Sequence, residues 1–246
     1  MAMKPRSRTA TKDSSGASTN RRAGTAGAKS KGKLPTPPDR PQPYESLRDA
    51  ILANEILPGT ALVESTLATW FSVSRTPIRE ALTRLEQDGL LARIRGRLVV
   101  RERSPDEILD IYETRALLEA AVARFAAERR TSHDIRLLQR SIDRWDSIDR
   151  GDQNAMLEAN REFHMTIWRA GHNESLIDLL RRLDLHIARF PVSTLSYEGR
   201  WEQAGKEHAA LVRAIELRDG NTASEIAREH FQHARDIRLR LWDATS

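Results

Sequence analysis

The chain has 246 residues, a formal net charge of +5 and no cysteine. The lack of cysteine excludes a disulfide framework and thiolate-based metal or redox chemistry, and it is typical of a cytoplasmic protein. No apolar run approaches the roughly 18 residues that a bilayer span requires, and the N-terminus lacks the apolar core of a signal peptide. We therefore expect a cytoplasmic protein with no membrane partner.

The N-terminal segment, residues 1–40, is strongly basic. It carries ten Lys and Arg against two Asp and Glu, and it is rich in Ser, Thr, Ala, Gly and Pro. Such a composition cannot bury enough apolar surface to offset the entropy of ordering, so we predict a disordered tail. The tail either adds non-specific, salt-sensitive affinity for DNA or only solubilises the chain.

Residues 41–103 are predicted to form a first folded domain. Apolar residues at helical spacing favour a first helix from Pro43 to Leu57, which Pro58 and Gly59 then end, and a second helix from Glu64 to Phe71. The third helix follows Ser74, a residue whose hydroxyl can cap it. Its remaining signals are a proline in the first turn, an apolar stripe and a terminating glycine, at Pro77, Ile78, Leu82, Leu85 and Gly89.

The opposite face of this third helix is polar. At 100° per residue, Arg75, Thr76, Arg79 and Thr83 lie together on it. Such a face can offer guanidinium groups to the edges of DNA bases. The alternative is a solvated surface on which the two arginines pair with Glu80 or Glu86.

A two-stranded wing is predicted after the third helix. Leu90–Ile94 and Leu98–Arg101 are apolar enough for strands, and they are joined by Arg95-Gly96-Arg97. A glycine between two cations suits a tight hairpin tip. Helix, turn, helix and basic wing together indicate a winged-helix reader of double-stranded DNA, and this arrangement favours DNA binding over the solvated alternative.

Residues 104–246 show helical periodicity and no strand signal, so we predict an all-α antiparallel bundle and, for the whole chain, a mainly α fold. The predicted helices are Pro105–Arg130, Ser132–Arg150, Gln153–Ala170, Glu174–Ser193, Arg200–Arg218 and Thr222–Trp242.

Histidines are concentrated in this second domain. Asn160 and His164 lie four residues apart on one helix face, and His208 and His230 fall on two later helices. Three imidazoles and an amide oxygen that converge inside a bundle can bind a divalent ion such as Zn²⁺ or Ni²⁺. The alternative is a hydrogen-bonded polar pocket without metal.

The segment SVSRTPIREALTRLEQDGLL resembles the signature of GntR-type bacterial transcription regulators. The resemblance implies that Arg75 and Arg79 contact operator bases, that Thr76 contacts phosphate and that the wing approaches the minor groove. A further base-contacting arginine of some members aligns with a serine of this chain. The residues predicted to contact DNA are Ser65, Ser74, Arg75, Thr76, Arg79, Arg95, Gly96 and Arg97.

The second domain resembles the FCD ligand-binding domain of the FadR subfamily. The matching stretches include Ile111–Glu119, Asn160–His164 and Glu207-His208. Many members hold a divalent metal with an aspartate and three histidines, which map onto His164, His208 and His230, and Asn160 stands at the position of the acid. The family often binds an effector carboxylate with an arginine, here Arg115, for which the alternative is an ion pair with Glu119. We also expect that His186 can line the ligand-binding cavity of this domain from its helix.

These observations predict a transcription regulator, by the family's default a repressor, controlled by a small organic acid. We expect a homodimer that places two winged domains on a near-palindromic operator. A first alternative is a metal-dependent hydrolytic enzyme fused to a DNA-binding module. A second is a ligand-independent architectural DNA binder.

Overall fold

The computed structural model describes residues 42–187 and 193–243. The predicted disordered tail lies outside these ranges. No helix in the described part of the chain is long and apolar enough to span a membrane.

The N-terminal part is a three-helix unit with a two-stranded sheet. Its elements are α1 (Pro43–Leu52), α2 (Glu64–Phe71), α3 (Arg75–Gln87), β1 (Leu91–Ile94) and β2 (Arg97–Val100). They enclose one apolar core, to which each helix contributes fully buried side chains such as Leu47, Leu67 and Ile78. The predicted apolar stripe of α3 packs into this core, since Ile78, Leu82 and Leu85 are all buried. Each such side chain contributes about 1.5–3 kcal/mol by leaving water.

The first helix is shorter than predicted. It ends at Leu52 rather than Leu57, because Asn54 adopts a left-handed conformation with φ of 57°. The amide N–H of Glu55 then donates to Ala50 O, and that of Asn54 donates to Ile51 O, which together satisfy the last carbonyls of the helix. The turn directs Ile56 back into the core.

The wing is a tight antiparallel hairpin. Ile94 pairs with Arg97, so the turn contains only Arg95 and Gly96, with φ of 48° and 77°. Two positive φ values define a type I′ turn, whose twist matches that of paired strands. The three-residue tip predicted from the sequence is therefore wrong, since Arg97 belongs to β2.

Residues from 105 onward form a helical bundle, as predicted. Its helices in the described ranges are α4 (Pro105–Arg129), α5 (Ser132–Ser147), α6 (Gln153–Ala170), α7 (Glu174–Ile187), α8 (Arg200–Glu216) and α9 (Gly220–Asp243). The hydroxyls of Ser104 and Thr131 cap α4 and α5 in complete capping boxes. Buried alanines of α4, including Ala123 and Ala126, help to form the core that α6, α8 and α9 share.

Several helix boundaries differ from those predicted from the sequence. Helix α5 ends at Ser147 rather than Arg150, because Ile148 is extended. Helix α8 ends at Glu216 because Arg218 takes a positive φ, and α9 begins at Gly220 rather than Thr222. A 3-10 turn at Thr194–Ser196, before α8, was not predicted. The predicted end of α7 at Ser193 runs through residues 188–192, which lie outside the described residues.

Candidate functional site

The predicted DNA-contacting residues all lie on the surface. On α3, the face opposite the buried stripe carries Arg75, Thr76 and Arg79. The whole predicted set is exposed, namely Ser65, Ser74, Arg75, Thr76, Arg79, Arg95, Gly96 and Arg97. Because one face of α3 is buried, the opposite face is presented to solvent. That exposed face carries two arginines one turn apart.

The serine before α3 occupies the N-cap position but does not cap with its side chain. Ser74 has extended backbone angles, and its hydroxyl makes no capping hydrogen bond. The predicted hydroxyl cap is therefore wrong. The residue at N3 is Pro77, which has no N–H that a capping hydroxyl could accept, and the N–H groups of Arg75 and Thr76 at this helix start remain available to an anion such as phosphate.

Arg79 forms an ion pair with a carboxylate that the sequence alternative did not name. Its Nη2 lies 2.7 Å from Oε1 of Glu64, at the start of α2. Glu86, one of the two predicted partners, instead accepts from Arg93 at 3.1 Å. The actual partner is distant in sequence, and it becomes a neighbour only when α2 packs against α3.

Three histidines from three helices of the bundle converge. His164 on α6, His208 on α8 and His230 on α9 have ligand atoms that all lie within 4.8 Å of one another. Their exposed fractions are 3%, 1% and 6%. Each helix buries the face that carries its histidine, so the convergence follows from core packing.

A layer of charged groups lies behind His230. Its Nδ1 lies 2.7 Å from the Glu207 carboxylate, which also accepts from Arg200 Nη1 at 2.7 Å. Burial acts to raise the pKa of Glu207, but the hydrogen bonds from His230 and Arg200 hold it far below its usual range. The carboxylate is therefore ionised, it fixes the ring orientation of His230, and it leaves Nε2 of that ring to face outward as a ligand atom.

The remaining polar atoms of the cluster fit a divalent metal. Asn160 Oδ1, His164 Nδ1 and both ring nitrogens of His208 are buried with no hydrogen-bond partner among the described residues. Burial, followed by neighbouring histidines and arginines, lowers the pKa of His164 and His208. Burial also lowers the pKa of His230, against the opposing hydrogen bond to Glu207, so the neutral ring is favoured in all three. Neutral imidazole is the form that binds metal, and unpartnered lone pairs argue against a hydrogen-bonded pocket.

The spacing of the cluster is compatible with a single ion. Two nitrogens on one ion lie no more than about 4.2 Å apart, twice a Zn–N bond. The ligand atoms of the three histidines all lie within 4.8 Å of one another, which is close to this limit. His164, His208 and His230 can serve as ligands, with Asn160 Oδ1 as an uncharged oxygen donor.

The cluster opens on a cavity of about 590 Å³ between α4, α6, α7 and α9. His164, His230 and Asn160 line it, whereas His208 lies behind them. The cavity also has basic and hydroxylated walls, lined by Arg115, Arg161, Arg200, Arg238, Ser193, Thr194 and Ser196. A small anion with several oxygen atoms suits such a lining.

Arg115 lines the cavity and is held by two carboxylates. Its Nε donates to Glu119 at 3.2 Å, the pair named as the alternative, and its Nη1 donates to Asp184 at 2.9 Å. Trp168 Nε1 also donates to Glu119 at 2.9 Å. Burial raises the pKa of Glu119 to about 7 against the opposing effects of Arg115 and Trp168. Asp184 was missed because nothing in the spacing of the α7 residues separates it from a surface acid.

His186 does not line the cavity, contrary to expectation. Its Nδ1 lies 3.1 Å from Arg103 Nη2, and its ring approaches Gly89. Asp184, two residues earlier, and Ile187, one residue later, line the cavity instead. A step of two residues turns a helix by about 200°, which directs His186 to the opposite side.

A winged helix–turn–helix joined to a helical domain with a cavity is the architecture of a DNA-binding regulator. Residues 42–100 match the family model of bacterial regulatory proteins, gntR family, and residues 110–233 match that of the FCD domain. The chain belongs to the gntR family of bacterial regulatory proteins and carries an FCD domain. This confirms the resemblance drawn from the sequence.

Relatives and solved structures agree with this assignment. The chain is 28% identical over 207 residues to the uncharacterized HTH-type transcriptional regulator YdhC of Bacillus subtilis, covering 79% of this chain and 91% of the relative. It is 27% identical over 200 residues to the HTH-type transcriptional repressor RspR of Escherichia coli K12, covering 80% and 88%. A GntR-family regulator from Pseudomonas syringae pv. tomato superposes with a TM-score of 0.51 at 27% identity, covering 82% and 85%. The family consists of transcription regulators, so the hydrolytic alternative has no support.

Proposed function

We propose that this transcription regulator is a repressor whose affinity for a DNA operator is controlled by a small organic acid. The observation that carries the proposal is the buried histidine cluster that opens on an arginine-lined cavity, in a chain whose other domain presents a cationic helix face. Residues 41–103 are the proposed DNA-binding domain, and residues 104–246 are the proposed sensor and dimerisation domain.

The chemistry of the donor set favours an anionic effector. Three neutral imidazoles and the amide of Asn160 bring no negative charge to a divalent ion, and the carboxylate of Glu207 contacts Nδ1 of His230 on the side away from the ligand atoms. When bound, the metal supplies open coordination positions and an uncompensated positive charge, which carboxylate oxygens satisfy. Zn²⁺ and Ni²⁺ are among the ions that imidazole ligands suit.

The side chains of the cavity wall orient such a ligand. Arg115 is fixed by Glu119 and Asp184, so its guanidinium does not need to be ordered when a carboxylate arrives. Arg200 and Arg238 are buried in the same wall. A guanidinium is matched to a carboxylate in shape and charge, and this supports Arg115 as an effector-binding residue.

Control of DNA binding requires that the effector prefer one arrangement of the protein over another. We propose a homodimer in which the bundles pair and two winged domains reach half-sites of a near-palindromic operator. An effector that binds better to a dimer with the wrong spacing lowers operator affinity by its differential affinity for the two forms.

Operator binding by an Arg79→Ala variant tests the DNA-binding part. We expect a loss of about 1–3 kcal/mol of specific binding, measured by fluorescence anisotropy on the promoter beside the gene itself, because one bidentate base contact is removed. The control Arg140→Ala removes an exposed arginine of α5 and should leave affinity unchanged. Unchanged operator affinity in Arg79→Ala would remove this residue from base reading.

The sensor part is tested on the same complex with a library of carboxylic acids, added with and without Zn²⁺ or Ni²⁺. At least one acid should release the operator, and it should do so only in the metal-loaded protein. If operator affinity and melting temperature stay the same across the library, the protein is a ligand-independent architectural DNA binder instead.

A further inference from the structure

The guanidinium of Arg79 is held on one side only. Glu64 Oε1 lies 2.7 Å from Nη2, and Oε2 lies 3.5 Å from Nε, so the carboxylate faces the Nε/Nη2 edge of the guanidinium. Glu64 is the first residue of α2, and Arg79 lies in the second turn of α3. The contact therefore crosses between the two helices of the helix–turn–helix, outside their apolar core.

The contact leaves the part of the guanidinium that reads bases available. A guanidinium has five N–H donors, one on Nε and two on each terminal nitrogen. Glu64 accepts from Nε and from one hydrogen of Nη2, so both hydrogens of Nη1 and the second hydrogen of Nη2 point away from it. One hydrogen of Nη1 and that second hydrogen of Nη2 form the edge that pairs bidentately with O6 and N7 of guanine, and the other hydrogen of Nη1 points to the Cδ side.

We propose that Glu64 is a positioning residue for base reading by Arg79. It orients the Nη1/Nη2 edge toward the major groove, and it offsets the charge that would otherwise draw this flexible side chain to the nearest phosphate. Glu64 therefore increases the preference for the operator over other DNA while it weakens binding to all DNA, since its own charge repels phosphate. This inference rests on the proposed function, because it requires Arg79 to contact a base edge.

The neighbouring arginine supplies an internal comparison. Arg75 lies one turn earlier on the same exposed face and makes no ion pair with another residue of the described ranges. Removal of Glu64 should therefore change the base preference that depends on Arg79 and leave the one that depends on Arg75 unchanged. A general loss of structure would affect both.

The test uses the full-length protein, the operator, a set of operators with single base-pair substitutions, and a scrambled duplex. Arg79→Ala and Arg75→Ala first identify the base pairs at which each arginine discriminates. Glu64→Gln is then compared with Glu80→Gln, which removes the same charge from an exposed position on α3. Both variants should bind the scrambled duplex more tightly than the parent, because each removes one negative charge near the phosphates.

Only Glu64→Gln should reduce discrimination at the Arg79 base pairs, by about 3- to 10-fold, with discrimination at the Arg75 base pairs unchanged. In an Arg79→Ala background, Glu64→Gln should change base discrimination no further. Identical behaviour of Glu64→Gln and Glu80→Gln would overturn the inference, and so would an equal loss at the Arg75 and Arg79 base pairs with a lowered melting temperature.

The two proposals fail in different ways. If Arg79→Ala alters no base preference, the assignment of Arg79 and the role of Glu64 fail together. If Arg79→Ala does alter it and Glu64→Gln does not, only the role of Glu64 fails.

Discussion

The exposed face of α3 and the buried cluster of the bundle use ionisable side chains in opposite ways. On α3, the guanidinium groups of Arg75 and Arg79 are exposed and can donate hydrogen bonds to an external partner. In the bundle, His164 and His208 are buried, and burial holds them neutral, so they offer lone pairs instead. Solvent access thus decides which chemistry a cationic residue type performs in each domain.

The largest effect is expected when the buried cluster loses ligands. His164→Ala combined with His208→Ala removes two of three nitrogen donors, and the protein purified without chelator should lose more than about nine-tenths of its bound divalent metal. Metal per protomer is measured by inductively coupled plasma mass spectrometry. His133→Ala, which removes an exposed histidine of α5, is the control and should retain the parent content.

Equal metal content in the double variant and the parent would contradict the assignment of the buried histidines as metal ligands. In that case the neutral, unpartnered histidine rings would serve only to pack the core and would not bind metal. Operator binding at low ionic strength should persist in the double variant, because the reading face of α3 has its own core.

A second prediction concerns the buried acid Glu119. Burial raises its pKa to about 7, whereas in the unfolded chain it titrates near 4.5. The native state therefore holds a proton that the unfolded chain has released. The stabilisation from this proton is fully present below pH about 4.5 and is lost as pH rises through about 7, with a total on the order of 3 kcal/mol.

Glu119→Gln removes this titration, so its urea midpoint should fall less between pH 5 and pH 8 than that of the parent. Asp110→Asn, an exposed acid of the same helix, should show the parent's dependence. The same pH dependence in Glu119→Gln and the parent would mean that the Arg115 charge keeps Glu119 ionised in the folded protein.

The sequence predicted local features well. Helices α2 and α6 begin and end at the predicted residues, and α4 and α5 begin at the predicted Pro105 and Ser132. These signals lie within a few residues of what they specify. The end of α1 was missed although Asn54 carried the signal, because the stronger breaker, Pro58, lies four residues later.

Contacts between helices were predicted poorly. The partners of Arg79 and of Arg115, Glu64 and Asp184, lie 15 and 69 residues away in sequence. Many acids stand at comparable spacing, and only the packed structure selects one of them. The convergence of the histidines was anticipated from the family resemblance, but the sequence does not show which of their nitrogens lack a partner.

The smallest effect is expected at the wing. Gly96 has φ of 77°, and a Cβ added there would meet nothing within 4 Å, so Gly96→Ala introduces backbone strain without a clash. The strain should cost about 1–2 kcal/mol in the hairpin and lower operator affinity a few-fold, while the melting of the bundle stays unchanged. Gly59→Ala is the matched control, because Gly59 has φ of 79° and an equally open surrounding but lies outside the wing. If both variants reduce operator affinity equally, the effect comes from the stability of the whole N-terminal unit. A loss of operator affinity confined to Gly96→Ala would assign the effect to the hairpin. DNA binding by the exposed region would then depend on local backbone geometry, whereas the properties of the buried histidine cluster depend on desolvation.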